Sequence, residues 1–450
     1  MASIKKIEGK RGTSYKITVS DGYHVNGSKI RRTKTFVPDP TKTEKQNQKE
    51  LERIAFEFEQ QVKQGNYYDG DHMTLEEFSE KWFREYVDVN LTPVTQELYR
   101  RLYKSYISPH LGHYKIAKLS PLKIQELWAH LQNDNVRKDG KEGGLSGTTV
   151  KKIHVVLSKM LTCAVRWQLI SSNPCERVDR PKPEWNIEDI KFFTPEEAVI
   201  FLSALDISYP RIHHAHTRTD DTGKEYKVKD YIEHYTVPMQ FKVMYNIALF
   251  GGLRRGELLG LTFDSFNFDK STVSITQSVS KTQTGIIIKK PKTRTSFRIV
   301  TLPSFVMDLV KDLKQEQSEK AKTLGTYWKN DEGYLFTQEN GSLMHPSTPT
   351  ITFKNILTKY NNYIENNKEL SAEEKEIQKL PMITLHGLRH TSATLAISQN
   401  VDVKTVSARL GHAQTSTTLN IYAHALSGRD TVACDAIEQA IYEAKKSNSH

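Results

Sequence analysis

The sequence predicts a multidomain α+β protein. A small three-stranded sheet with one helix comes first, then an all-α helical domain, then a mainly α domain with a small β-sheet. Three observations carry this. Residues 1–43 alternate apolar and polar side chains at period two between turn dipeptides. Residues 74–178 and the chain beyond Phe193 space their apolar residues as helices do. Between them, Arg180-Pro181-Lys182-Pro183 places two prolines two apart, the pattern of an extended linker. A length of 450 residues suits about three domains.

In the first segment Tyr15, Ile17 and Val19 alternate with Lys16, Thr18 and Ser20, and Ile30 to Val37 reads as a further strand. Asp21-Gly22 and Asn26-Gly27 are hairpin turns, because such turns need positive φ. Residues 44–64 form a helix with Leu51, Ile54, Phe58 and Val62 on one face. The segment is strongly basic: 1–43 holds ten Lys/Arg against three Asp/Glu, a net of +7 out of +11 for the whole chain. Lys16, Arg31, Arg32 and Lys34 are its candidate DNA contacts, since a basic sheet face can enter a major groove.

The second segment opens on Thr74 with Glu77 three residues later, a capping box. From Thr95 to Ile107 the residues Leu98, Tyr99, Leu102, Tyr103 and Tyr106 fall at helical spacings, an aromatic stripe best explained as core. Arg100, Arg101 and Lys104 lie largely on the other side, as do Lys151, Lys152, Lys159 and Arg166 on a helix from Ser146 to about Trp167. Arg100, Arg101, Lys104, Lys151 and Lys152 are candidate phosphate contacts, with a solvated charged face as the alternative.

The third segment begins at Thr194-Pro195-Glu196-Glu197, an N-cap followed by an N1 proline and acidic first-turn residues. Residues 206–237 read as a polar loop with His213, His214, His216 and His234 scattered along it, and no metal site is assigned. Asp402 to Leu410 reads as a helix ended by Gly411, which puts His412 in a tight turn, and Ser416 to Ala423 as a short helix carrying Tyr422.

Composition excludes several classes. No run of about 18 apolar residues is present, so no transmembrane helix is expected. The N-terminus lacks a hydrophobic signal core, and the three cysteines (Cys163, Cys175, Cys434) are far apart, which fits a reducing bacterial cytoplasm. A pI near 9.2 favours a polyanionic partner, nucleic acid before membrane.

Four pieces carry chemistry. The first is Gly251-Gly252-Leu253-Arg254-Arg255-Gly256-Glu257, where Glu257 sits one helical turn from Arg254 and can orient it. The second is Lys290-Pro291-Lys292-Thr293, followed by Arg298. The third is His386-Gly387-Leu388-Arg389-His390, in which His386 and Arg389 share a face. The fourth is Leu410-Gly411-His412, with Tyr422 ten residues on. No GxxxxGK[ST] nucleotide loop and no matched carboxylate set for a metal accompany them. Arginine forks neutralise the charge that builds on a pentacoordinate phosphorus. A Tyr hydroxyl beside such cations is a phosphate nucleophile, a Lys can protonate a departing sugar oxygen, and a His can take or give a proton. Together these residues suffice for phosphoryl transfer through a phosphotyrosine without metal, ATP or other cofactor.

This ordered set resembles the catalytic domain of the tyrosine recombinases, the phage-integrase family, over about residues 190–426. Residues 74–178 resemble that family's helical core-binding domain, residues 1–64 its small arm-type DNA-binding domain, and residues 427–450 a C-terminal tail helix. The resemblance implies that Arg254 and Arg389 clamp the scissile phosphate and that Lys292, on a β-hairpin, protonates the leaving 5′-hydroxyl. His386 acts as general base or acid, His412 bonds a phosphate oxygen, Tyr422 attacks, Glu257 is an acidic helper, and His390 is structural. The family commonly has Thr where this chain has Gly251. The implied activity is integration and excision of a phage or conjugative element. The implied partners are double-stranded DNA with core and arm sites, a homo-tetramer on that DNA, an excisionase and a DNA-bending accessory protein. A type IB topoisomerase, a catalytically inactive DNA-binding regulator and a chromosome-dimer resolvase are the alternatives. The basic N-terminal segment argues against the first and third, and the complete catalytic set against the second.

Overall fold

A computed structural model describes residues 2–9, 12–23, 27–63, 73–133, 136–179, 190–219, 221, 223–289, 297–412, 414–422, 437–439 and 441. The chain divides into two compact units, Met1–Glu184 and Trp185–His450.

The first unit holds two separate cores. Strands β1 (Ser3–Gly9), β2 (Gly12–Tyr23) and β3 (Lys29–Phe36) form an antiparallel sheet in that order. Its inner face buries Ile17, Val19 and Phe36 against Leu51, Ala55, Phe58 and Val62 of helix α1 (Glu44–Lys63). The expected sheet and helix are therefore present. The register sorts the predicted basic residues by face. Cross-strand partners lie on the same face of an antiparallel pair. Lys16 is paired with Lys5, and Ser20 with Arg31, so Lys16 and Arg31 share the face turned away from α1. Lys34 and Arg32 are paired with Ile17 and Val19, on the helix side. Lys34 accordingly sits over the Phe58 ring, and Arg32 donates Nε–H to Asp21 at 2.8 Å. The four residues do not form one basic surface.

The second core belongs to helices α2 (Leu75–Trp82), α3 (Asp88–Asn90), α4 (Pro93–Leu102), α5 (Ser108–Leu111), α6 (Pro121–Gln132) and α7 (Gly147–Arg166). Thr74 accepts from the Glu77 backbone while Glu77 reaches back to the Thr74 N–H, the capping box the sequence predicts. Two wider π-turns, Phe83–Val87 and Tyr103–Ile107, follow α2 and α4 directly. The aromatic stripe does pack inward: Trp82 stacks on Tyr86 and Tyr99, and Tyr103 meets Phe83 edge-on. Of the predicted contacts, Arg101, Lys104, Lys151 and Lys152 are exposed. Arg100 is exposed as well, but it donates to both Asp88 oxygens at 2.6 Å and lies over the Phe83 ring. The linker residues Arg180 to Pro183 lie outside the described residues.

The second unit is helical around small sheets. Its helices are α8 (Pro195–Ala204), α9 (Met239–Gly251), α10 (Arg255–Leu259), α11 (Ser304–Leu324), α12 (Thr348–Asn366), α13 (Ala372–Gln378), α14 (Leu385–Ser398), α15 (Val403–Leu410) and α16 (Thr415–Tyr422). Thr194 caps α8 with Glu197 in a second capping box, as its sequence predicts. The core runs through α9, α11, α12 and α14, with Tyr245, Phe353 and Leu388 fully buried. Strands β8 (Phe266–Asn267), β9 (Thr272–Ile275) and β12 (Arg298–Thr301) make one sheet, in the order β12-β9-β8. Strands β10 (Ser278–Thr282) and β11 (Gly285–Lys289) form a separate hairpin.

The stretch read as a loop is not one. Residues 208–236 form β4 (Ser208–His213) paired with β7 (Tyr231–Thr236), and β5 (His216–Thr219) paired with β6 (Glu225–Val228). At its base Tyr209 is buried and donates to the Ala204 carbonyl. Beyond that β5, β6 and β7 are almost wholly exposed. With polar residues on both faces, the strands lack the apolar alternation that marks a half-buried strand. In the C-terminal tail, residues 437–439 and 441 are helical, and the other positions of the expected tail helix lie outside the described residues.

Candidate active site

Backbone features bring the predicted residues together. Helix α9 ends at Gly252, in the left-handed region at φ 64°. A side chain there would come within 2.8 Å of Leu410, so glycine serves both the turn and the close approach of α15. The chain turns at once into α10, with Arg254 as its N-cap and Glu257 in its first turn. Glu257 accepts from the Arg254 backbone N–H at 2.9 Å and from its Nη1 at 2.8 Å. The expected Arg254–Glu257 pair is thus present. Arg254 Nη2 also donates to the Gly411 carbonyl at 3.1 Å.

Thr384 caps α14, accepting from Gly387 N–H, which fixes His386 and Arg389 one turn apart at its start. Arg389 is only 1% exposed. Its Nη1 donates to the Gly252 carbonyl at 2.7 Å, while Nη2 is buried with no hydrogen-bond partner. Burial, followed by the charge of Arg254, lowers the Arg389 pKa to about 9. No carboxylate is paired with it among the described residues. A buried, uncompensated guanidinium with an orphan donor is what an anion would complete.

The third element is α15, capped by Asp402 and ended by Gly411 at φ 66°. His412 follows, as its sequence predicts, with Nδ1 2.8 Å from Oγ1 of the buried Thr418 on α16. Burial, then the nearby Arg389 and Arg254 charges, pulls the His412 pKa down to about 4. His386 keeps an exposed edge. The protein packed around its ring, and then Arg389 and Arg254, lower its pKa too.

Tyr422 ends α16 and is 1% exposed. Burial pushes its phenol up to about 12, against the opposing charge of Arg389. Its hydroxyl lies 2.8 Å from His390 Nδ1. The His390 ring in turn meets His386 edge-on, centroids 4.8 Å apart. Burial, followed by His386 and Arg389, lowers the His390 pKa to about 4. We therefore assign the phenol as donor and a neutral Nδ1 as acceptor. The sequence reading gave His390 a structural part; the structure puts its ring on the candidate nucleophile.

Arg254, Glu257, His386, Arg389, His412 and Tyr422 thus converge in the second unit. Lys292 lies outside the described residues, in the segment between β11 and β12. The sequence reading names Arg298 after the Lys292 segment but assigns it no role; it leads β12 and is 6% exposed at its side chain. It donates Nη1 and Nη2 to the two Glu257 oxygens, at 3.1 and 2.7 Å. Burial would raise the Glu257 pKa, but the bond and charge of Arg298, and then Arg254, hold it at about 2. The one hint in the sequence was an Arg opening an apolar strand. Among the described residues, no group of three His, Cys, Asp or Glu could hold a metal, and no helix is long and apolar enough to cross a membrane.

Comparisons with known proteins identify the family. Residues 225–429 match the Phage integrase family, and residues 74–132 match the Phage integrase, N-terminal SAM-like domain. The chain belongs to the phage integrase family, the tyrosine recombinases. It is 27% identical to a tyrosine recombinase XerC-like protein of Caldanaerobacter subterraneus over 94% of this chain and 95% of that one. It is 25% identical to the ICEBs1 integrase of Bacillus subtilis over 75% of this chain and 77% of the relative. In fold it is similar to the Tn1549 transposon integrase solved in complex with a circular intermediate DNA. The TM-score there is 0.59 at 20% identity, covering 82% of this chain and 99% of that one.

Proposed function

We propose that the protein is a site-specific recombinase that integrates and excises a mobile element by cutting and rejoining DNA through a 3′-phosphotyrosine. The observation that carries the reading is the Arg389 guanidinium, buried with an orphan donor near Tyr422. Arg254 and Arg389 clamp the non-bridging oxygens of the scissile phosphate, and His412 donates to the same group. The Tyr422 oxygen attacks phosphorus as its proton passes to His386; the P–O5′ bond breaks and the 5′-oxygen takes a proton. Lys292 is the donor for that oxygen, and His386 exchanges protons at the phosphate. One phosphodiester is exchanged for another, so rejoining needs no ATP. The exposed Lys16 and Arg31 face and the exposed Arg101, Lys104, Lys151 and Lys152 supply arm-site and core-site contacts. A homo-tetramer on two duplexes completes strand exchange, with an excisionase and a DNA-bending protein setting direction. The relatives include the ICEBs1 integrase and the integrase of Mycobacterium phage L5, which favours integration and excision over the topoisomerase and regulator alternatives.

The test is a nicked suicide duplex carrying the junction sequence that flanks the gene, incubated without metal. A covalent protein–DNA complex should form, and Tyr422→Phe should abolish it while leaving the mobility shift intact. A Phe variant that still links to DNA, or a native protein that never does, defeats the reading. Removing residues 1–64 should abolish arm-site binding and spare the core site. Affinity should fall steeply with salt, through release of counterions.

A further inference from the structure

We propose that Arg298 is a positioning residue of strand cleavage: it takes up the Glu257 carboxylate from beneath, so that Arg254 keeps its charge and free donors for the scissile phosphate. The inference rests on the recombinase reading above and adds to it a residue outside the recognised set.

The geometry is a buried cation–anion–cation relay. Glu257 is 7% exposed and shares each carboxylate oxygen between two arginines. Oε1 takes Arg254 Nη1 at 2.8 Å and Arg298 Nη1 at 3.1 Å. Oε2 takes the Arg254 backbone N–H at 2.9 Å and Arg298 Nη2 at 2.7 Å. The two cations differ in exposure. The Arg298 side chain is 6% exposed and closed off, whereas that of Arg254 is 38% exposed. Glu257 alone beside Arg254 would cancel the charge nearest the phosphate. With Arg298 added, the three groups sum to one positive charge, carried by the exposed member. The directions of the pKa causes agree, since Arg298 lowers the Glu257 pKa ahead of Arg254.

Arg298 also ties this relay to the turn that carries His412. Its Nε donates to the Arg409 carbonyl at 2.7 Å, and Arg254 Nη2 reaches the next carbonyl but one, Gly411, at 3.1 Å. A side chain at Gly411 would sit 2.8 Å from Arg298 Nη1. One rigid fork thus sets Arg254 and the approach to His412 together. Lysine, with a single point of charge, could not meet both carboxylate oxygens and the carbonyl at once.

A merely structural ion pair would affect melting and nothing else, so the test separates chemistry from stability. Arg298→Met, Arg298→Lys, Glu257→Gln and the double variant Arg298→Met/Glu257→Gln are compared on the nicked junction duplex at saturating DNA, with mobility shift and Tm in parallel. Arg298→Met should slow covalent-complex formation by roughly a hundredfold, through misplacement of Arg254, while duplex affinity changes little. The double variant should react faster than Arg298→Met alone, because no unbalanced carboxylate is left to capture Arg254. Arg298→Lys should fall between Met and native. A native rate in Arg298→Met, or a double variant no faster than the single, overturns the proposal. If Arg298→Met unfolds at the assay temperature, Arg298→Lys with and without Glu257→Gln gives the same two outcomes. A native protein that forms no covalent complex defeats the recombinase reading and this proposal together; the other outcomes bear on Arg298 alone.

Discussion

The Tyr422 hydroxyl rests 2.8 Å from Nδ1 of a neutral His390. Burial holds the phenol at about 12 and the imidazole at about 4. Moving the proton from one to the other in this geometry is strongly uphill, because burial raises the phenol and lowers the imidazole. His390 therefore holds the candidate nucleophile protonated and in place, and the proton has to pass to another group, His386 in the proposed reaction. His390→Phe leaves a buried hydroxyl without an acceptor and should cost about 1–3 kcal/mol. Adding Tyr422→Phe should recover most of that loss, because both partners are then apolar. Calorimetry of the two single variants and the double one checks this; strictly additive losses would sink it.

Acid should weaken the fold through the same imidazoles. His390 and His412 have folded values near 4 against an ordinary 6.5. Between those limits the unfolded chain binds more protons, so stability rises with pH. It is at its full level above pH 6.5 and is lost as pH falls to about 4, by at most roughly 3 kcal/mol per ring. Glu257, held near 2, extends the decline below pH 4.5. Tm measured from pH 7 to 4 should flatten in His412→Gln, and an unchanged slope would contradict the assignment.

Arg389 should show opposed effects on stability and chemistry. Its lowered pKa marks a charge that burial disfavours in the folded chain by a few kcal/mol. Arg389→Met, similar in volume and uncharged, should melt no lower than the native protein yet form no covalent complex. A large drop in Tm would mean that the Gly252 carbonyl bond outweighs the buried charge.

Two left-handed glycines allow a controlled comparison. Gly411 and Gly223 lie at φ 66° and 85°, so alanine at either should cost about 1–2 kcal/mol. A Cβ at Gly411 meets the Arg298 guanidinium, whereas one at Gly223 meets nothing within 4 Å. Gly411→Ala should therefore slow DNA cleavage and Gly223→Ala should not. Equal rates in the two would show that the Gly411 contact is without consequence.

Replacing residues 214–230 with an Asn-Gly turn should leave the second unit's melting within about 0.5 kcal/mol of native. Strand β4 keeps its buried Tyr209, and β5, β6 and β7 lend almost nothing to the core. A large loss of Tm would show that the exposed strands brace the fold.

Local signals were legible in the sequence and distant ones were not. The capping boxes at Thr74 and Thr194, the Gly411 stop and the Arg254–Glu257 pair all lie within a turn or two of chain, where spacing determines contact. Arg298 meets Glu257 across 41 positions, and Arg254 meets Gly411 across 157, so spacing is silent about both. The family resemblance implies only a structural part for His390. Its neighbour Tyr422 is reached only once α14 and α16 pack. The 208–236 strands escaped notice because neither face is apolar. Basic residues can be counted from sequence, but the face each occupies depends on register, which separated Lys16 and Arg31 from Arg32 and Lys34.

The bond from His412 to Thr418 has its own consequence. Thr418 lies one helical turn before Tyr422 on α16, buried under the cleft. If α16 swings away with its tyrosine, the hydroxyl that orients the His412 ring leaves with it. In the proposed reaction the site would then lose its candidate nucleophile and an oriented His412 in one motion, and regain both in one. Disarming and rearming are then one event, set by a single threonine hydroxyl.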